Sequence, residues 1–97
     1  MLGETLVRLL FNATAQHNAD TYREHDVALW SQLREVLVAI RDQTPQSRET
    51  ALRLPGGTAW SVGVQVVGRD EGYQVVWACD PRDQDIVHVV HLGPELR

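Results

Sequence analysis

Between Trp60 and Leu92 the chain runs through three short apolar stretches separated by polar breaks, and this pattern limits the fold more than any other segment. Trp60, Val62, Val64 and Val66 alternate with Ser61, Gly63, Gln65 and Val67, the period of two expected of a strand with one buried face. The run 72–79 places Tyr73, Val75, Trp77 and Cys79 on one side and Gln74, Val76 and Ala78 on the other. A third run, rich in valine, follows from Ile86. The expectation is a C-terminal antiparallel meander whose larger apolar set faces inward.

The breaks suggest a register. Arg69-Asp70-Glu71-Gly72 reads as a hairpin loop with a glycine free to take positive φ, which sets Gly68 opposite Tyr73, Val64 opposite Trp77 and Gly63 opposite Ala78. Pro81-Arg82-Asp83-Gln84 reads as the second turn, which sets Asp80 opposite Asp85, Trp77 opposite His88, Val75 opposite Val90 and Gln74 opposite His91. The inner face then holds Tyr73, Val75, Trp77, Cys79, Ile86, His88, Val90 and Leu92. The outer face collects Ser61, Gly63, Gln65, Val67, Gln74, Val76, Ala78, Val87, Val89 and His91. Such a face is too apolar for an ordinary solvated sheet surface, so Gln65, Val67, Gln74, Val76, Val87 and Val89 are expected to contact a partner.

The chain before the meander reads as cover for its inner face. Thr5 to Phe11 fits both a helix face, through Leu6, Leu9, Leu10 and Ala13, and a short apolar strand; the strand is preferred. Ala13 to about Arg23 suits a surface helix capped by Asn12. Asp26 can cap a second helix in which Leu29, Trp30, Leu33, Val36, Leu37 and Ile40 recur at helical spacing, with Thr44-Pro45 as its stop. Ser47 is expected to cap a short helix through Leu54, and Pro55-Gly56-Gly57 to turn the chain into the meander. Trp30, Trp60 and Trp77 should share one core. The fold class expected is α+β, an N-terminal strand and two helices packed on the antiparallel meander, forming a single domain over residues 1–97.

With 97 residues there is room for one core and none for a separate cofactor domain. All nine basic residues are Arg, and the formal charge is −4. From residue 69 onward three Arg stand against six acids, which opposes the phosphate neutralisation on which nucleic-acid affinity rests. Arg8 interrupts the N-terminal apolar run, so neither a signal peptide nor a membrane span is expected. The single Cys79 reads as a small buried hydrophobe, consistent with a reducing cytoplasm, and the Asn12-Ala13-Thr14 sequon as a chance match.

No cofactor or metal site is expected. His88 and His91 stand an odd number of positions apart in one strand, which puts them on opposite faces. His88, opposite Trp77, reads as a hydrogen-bonded core histidine; His91, on the outer face beside Gln74, has the stronger functional claim. Asp70, Glu71, Asp80, Asp83 and Asp85 fall in two hairpin loops without EF-hand spacing. Nucleophile elbow, P-loop and dinucleotide fingerprints are all missing.

The segment 72–95 resembles the RelE/ParE superfamily of small bacterial toxins, in which a glycine turn leads to an aromatic-Arg-Val-x-aromatic strand, an acidic turn and a valine-rich strand ending in Gly. Gly72, Tyr73, Val75, Trp77, Asp80, Val87, Val89 and Gly93 match that pattern, and 52–64, with Trp60, is similar to the family's entry into its sheet. The order of a strand, two helices and a meander also agrees. Members of the family are messenger-RNA endonucleases, ribosome-dependent or free, or gyrase inhibitors, each held by a cognate antitoxin. For the nucleases the resemblance implies a sheet face carrying Arg or Lys against the scissile phosphate, often with a C-terminal Tyr or His.

This chain departs at those positions: Gly63 and Gln74 stand where Arg is usual, and Pro94-Glu95 replaces a His-Arg pair. Arg69, in the first hairpin loop, and Arg53, before the turn, are the nearby replacement cations by sequence, and Arg69 as charge stabiliser with His91 as general acid or base are the candidates for catalysis. The expectation is therefore a toxin-like protein that acts by binding an antitoxin-like partner, with nuclease activity weak or lost. An endonuclease of messenger RNA, free or on the ribosome, is the alternative, and a homodimeric scaffold is a third reading.

Overall fold

The computed structural model describes residues 7–96. Strand β1 (Arg8–Phe11) is followed by helices α1 (Ala13–His25) and α2 (Val27–Arg41), a 3-10 turn (Pro45–Arg48), and strands β2 (Thr50–Leu54), β3 (Gly57–Gln65), β4 (Gly72–Cys79) and β5 (Ile86–Pro94). The strands form one mixed sheet in the order β1-β5-β4-β3-β2, with β1 parallel to β5 and every other pair antiparallel. The chain is thus α+β, as its pattern predicts. The described part of the first apolar segment is a strand; Thr5 and Leu6 lie outside the described residues.

Both helices begin where the sequence places their caps. Asn12 holds an extended backbone and its side chain accepts from the Ala15 N–H at 2.8 Å. Asp26 serves two helices at once. Its N–H donates to the Tyr22 carbonyl at the end of α1, and its carboxylate accepts from the Leu29 N–H at the start of α2. The stripe of α1 is thin, with Ala15 and Ala19 buried, whereas α2 buries Leu29, Leu33, Leu37 and Ile40. Past Arg41 the chain turns at Gln43, whose φ of 54° is left-handed, and Thr44 is extended ahead of Pro45.

The β3–β4 hairpin keeps the expected faces but not the expected pairs. Val64 meets Tyr73, Trp60 meets Trp77 and Gly63 meets Gln74. The connecting loop is longer than the polar break suggests, because Val66 and Val67 leave the ladder and Gly68, at φ 86°, turns the chain. The shift is even, so Val62, Val64, Tyr73, Val75 and Trp77 still point into the core.

In β5 the shift is not even throughout, and this overturns half of the face assignment. Cys79 pairs with Val87, Ala78 with His88 and Trp77 with Val89, after which Val76 pairs with His91 and Val75 with Leu92. Val90 is the extra residue of a β-bulge. Up to the bulge the odd-numbered residues face the helices, and beyond it the even-numbered Leu92 does. Val87 and Val89, expected on the outer face, are therefore fully buried in the core, while His88 stands outside and Val90 is 42% exposed. Cys79 is likewise corrected: at the end of β4 it is exposed, not a buried hydrophobe.

The second correction concerns residues 47–54. In place of a helix capped by Ser47, the 3-10 turn is followed by strand β2, which returns through Pro55-Gly56 and Gly57, at φ 142°, to pair along β3 from Leu54↔Gly57 to Thr50↔Ser61. Ser47 is fully buried; its hydroxyl donates to the Thr44 carbonyl and its own carbonyl accepts from the Trp77 indole N–H at 2.7 Å.

Where β1 ends opposite Val89, helix α1 takes over the edge of β5. The side-chain amides of Asn12 and Asn18 donate to the carbonyls of Val90 and Leu92, each at 2.8 Å. Gly93 accommodates this approach, since a Cβ there would stand 3.0 Å from the Asn18 amide nitrogen.

Trp77 is the largest fully buried side chain, with Trp60 6.5 Å away centroid to centroid and Trp30 packed against the same cluster, so the three indoles share one core. The guanidinium of Arg48 lies over both Trp60 and Trp77, at 5.8 and 5.5 Å. Trp77→Ala is expected to cost about 3–5 kcal/mol in denaturant unfolding. A loss under roughly 1 kcal/mol would mean that this core is not packed as described.

Candidate functional site

The sheet face turned away from the core is where the sequence places function, and its polar side chains are now located. Ser61, Gly63 and Gln65 of β3 lie beside Gln74 and Val76 of β4, and His91 and His88 of β5 follow. Because of the bulge both histidines stand on this one face, so the opposite-face argument against a shared ion fails. Each is nevertheless engaged on its own: His88 Nε2 contacts Asp80 Oδ2 at 2.8 Å, and His91 Nε2 lies 2.8 Å from the Pro94 carbonyl. Among the described residues there is no cluster of three or more His, Cys, Asp or Glu able to hold a metal ion.

A carbonyl oxygen only accepts, so His91 Nε2 is the donor in its contact with Pro94. The neighbouring groups are equally committed. Gln74 Nε2 donates to the Ser61 hydroxyl at 2.7 Å, and its Oε1 accepts from the Leu96 N–H. Gln65 Nε2 donates to the carbonyls of Arg69 and Glu71. Glu49 accepts from the Gly63 N–H, which β2 is too short to cover, at 3.0 Å.

Among the described residues, no cation is bonded to this constellation. Gly63 and Gln74, the positions where the resemblance expects Arg, are direct partners across the ladder. What adjoins them is acidic: Glu49 beside Gly63, and a hollow lined by Asp70, Glu71 and Glu95 next to Gln65.

Arg69 is held elsewhere. Its guanidinium forms a bidentate pair with Asp26, Nη1 to Oδ2 and Nη2 to Oδ1, both at 2.8 Å, tying the β3–β4 loop to the junction of the two helices. Asp26 pushes the Arg69 pKa upward, and Arg69 in return holds the Asp26 carboxyl below its ordinary range. No hydrogen bond or ion pair links Arg69 to His91 among the described residues. Close by, the Tyr73 hydroxyl donates to Glu71 at 2.9 Å, and burial, followed by Glu71, raises its pKa.

The expected apolar contact surface is smaller than the sequence suggests. Val87 and Val89 belong to the core, Val76 is 5% exposed, and only Val67, at 98%, is open, in the loop that Arg69 anchors. Val27, which follows Asp26, is 74% exposed. The Arg69–Asp26 pair thus joins the segments that carry two bare valines, Val67, which the alternation already placed outside, and Val27, which it did not single out. No helix is long and apolar enough to cross a membrane among the described residues.

Comparison with protein families, with characterised proteins and with solved structures finds no match to this chain.

The depressed Asp26 carboxyl has a signed consequence. A carboxylate whose pKa is lowered by folding contributes stability above its unfolded value, about 3.9, that is lost as pH falls through the folded value. Arg69→Gln should return the Asp26 titration to its ordinary range and reduce the acid dependence of stability. Carboxyl NMR titration of both proteins reads this directly, and an unmoved Asp26 titration in the variant would disprove the coupling.

Proposed function

We propose that the chain is a toxin-like protein of the RelE/ParE type that works by engaging a protein partner and has lost effective nuclease chemistry. The supporting observation is the pairing of Gly63 with Gln74 on a face whose polar groups are bonded to one another and bordered by carboxylates. A phosphoryl-transfer transition state there would meet no guanidinium bonded to this face among the described residues, and electrostatic stabilisation is usually the largest catalytic contribution. Arg69, the candidate charge stabiliser, neutralises Asp26 instead. His91 alone would contribute about 10²–10⁴-fold.

Several features are in keeping with the family resemblance: a first strand, two helices, and then antiparallel strands. Partner binding is supported by Val67 and Val27, exposed on segments joined by the Arg69–Asp26 pair, where hydrophobic contact with a second protein would cover them. The endonuclease of messenger RNA, using Arg69 and His91, is the competing reading, and a homodimer is the other form that partner binding can take.

RNA affinity against salt tests the proposal. The parent should bind weakly with a shallow slope. Gly63→Arg with Gln74→Arg should steepen it by about 0.7–0.9 for each phosphate that the new guanidinium groups neutralise. Because Glu49 Oε1 stands 3.4 Å from where a side chain at position 63 would begin, the pair is best placed in a Glu49→Gln background, which keeps the new guanidinium free for phosphate. RNA cleavage by the parent that disappears in Arg69→Ala or His91→Ala would establish the endonuclease instead. Val67→Asp should weaken association with the partner, or dissociate a homodimer in sedimentation, while leaving the fold intact.

A further inference from the structure

At the opposite end of the sheet from the Arg69 loop, strands β3 and β4 part company. Their ladder stops at Trp60↔Trp77, although β3 continues back to Gly57 along β2 and β4 continues to Cys79 along β5. The alternation of backbone groups fixes what faces the opening. Gly63 N–H points away from β4, towards Glu49, so Thr58, of opposite parity, directs its N–H and carbonyl at β4. Asp80 N–H donates to Ile86 of β5, so Cys79 directs its backbone groups at β3. No ladder pair joins Thr58 to Cys79.

The opening is a cleft of about 660 Å³, within the range of small-ligand sites. Trp60 and Leu54 supply apolar wall, and Arg48 closes the helix side. One Arg48 amino group donates to Gln43 Oε1 at 2.6 Å while the guanidinium plane rests over the two indoles, which fixes a charged donor at the cleft's edge. The site thus combines an apolar wall, backbone groups that lie beyond the β3–β4 ladder, and the charge of Arg48, with Asp80 also in its lining.

We propose that this cleft binds a small monocarboxylate with an apolar body, its carboxylate on Arg48 and the adjacent backbone N–H groups and its body against Trp60 and Leu54. The charge balance selects a monoanion. Arg48 is the single cation lining the cleft among the described residues, and Asp80 lines it too, so there is no surplus positive charge to hold the second negative charge of a dianionic phosphate. Asp80 itself is turned to other duties, accepting from the N–H groups of Arg82 and Asp83 and contacting His88. A planar guanidinium matches a carboxylate in two parallel hydrogen bonds, the geometry that gives such pairs their specificity. This inference is independent of the partner-binding proposal, since it uses neither the outer sheet face nor the Val67 loop.

The test is an amide-resolved NMR titration of the whole protein with 3-phenylpropionate, and with 3-phenylpropanol as its uncharged counterpart. The carboxylate should shift the Thr58 and Cys79 amides and the Trp60 indole N–H to saturation, and the alcohol should not. Arg48→Gln should weaken binding roughly tenfold or more, as loss of a charge-assisted pair does. Arg48→Lys, which keeps the charge without the fork, should weaken it less. Leu54→Ser, at the exposed hairpin tip, should also weaken binding without touching the core and decides the matter if the Arg48 variants misfold. The proposal fails if no saturation is reached by about 10 mM, if the alcohol binds as well as the carboxylate, or if affinity is unchanged by the Arg48 or Leu54 substitutions.

Discussion

A buried indole needs a partner for its N–H, and the carbonyl that Trp77 finds, that of Ser47, determines how the two halves of the chain are joined. Trp77 lies in the middle of the sheet and Ser47 in the 3-10 turn after α2. Their bond draws that turn down onto β4, which brings the chain to the start of β2 and sets Arg48, one residue later, across the indoles. Leaving that N–H unpaired in the core would cost about 1–3 kcal/mol. The route from helix to sheet is therefore held by a polar contact inside an apolar core, and the edge strand, the cleft and the Arg48 position all follow from it.

The legible parts of the fold are those in which one face is buried and the other is not. The α2 stripe, the Asn12 and Asp26 caps and the inner sets of β3 and β4 all carry that contrast in their sequence. Strand β2 does not: four of its five residues are exposed, so Thr50 to Leu54 shows no periodicity to read. The bulge at Val90 is hidden for the opposite reason. Val89 and Val90 are chemically the same, and two adjacent valines between His88 and His91 give no sign of which one is extra. Loop length misled in a milder way, since Val66 and Val67 extend the alternation past the point where the ladder ends.

The candidate site was legible as a set of residues but not as a state of those residues. Sequence parity places Gln65, Gln74 and His91 together, and the structure agrees. What the sequence cannot display is that each is already bonded within the chain, or that Arg69 meets Asp26 across the fold. The arginines show a common tendency: Arg23, Arg41 and Arg69 pair with carboxylates and Arg48 rests on indoles. Four of the nine arginines thus serve contacts within the chain.

The parallel pairing of β1 with β5 also sets an order of events. Asn12, at the end of β1, bonds Val90 from 78 positions away, so among the described strands the first has no sheet neighbour until the fifth is in place. The helix pair and the antiparallel hairpins rest on contacts much closer in sequence and need not wait for it. Closing so long a loop carries the largest entropic cost of any pairing in the sheet. The β1–β5 seam thus joins the two ends of the described chain, and the fully buried Val87 and Val89 of β5 are covered on that side only once it is made.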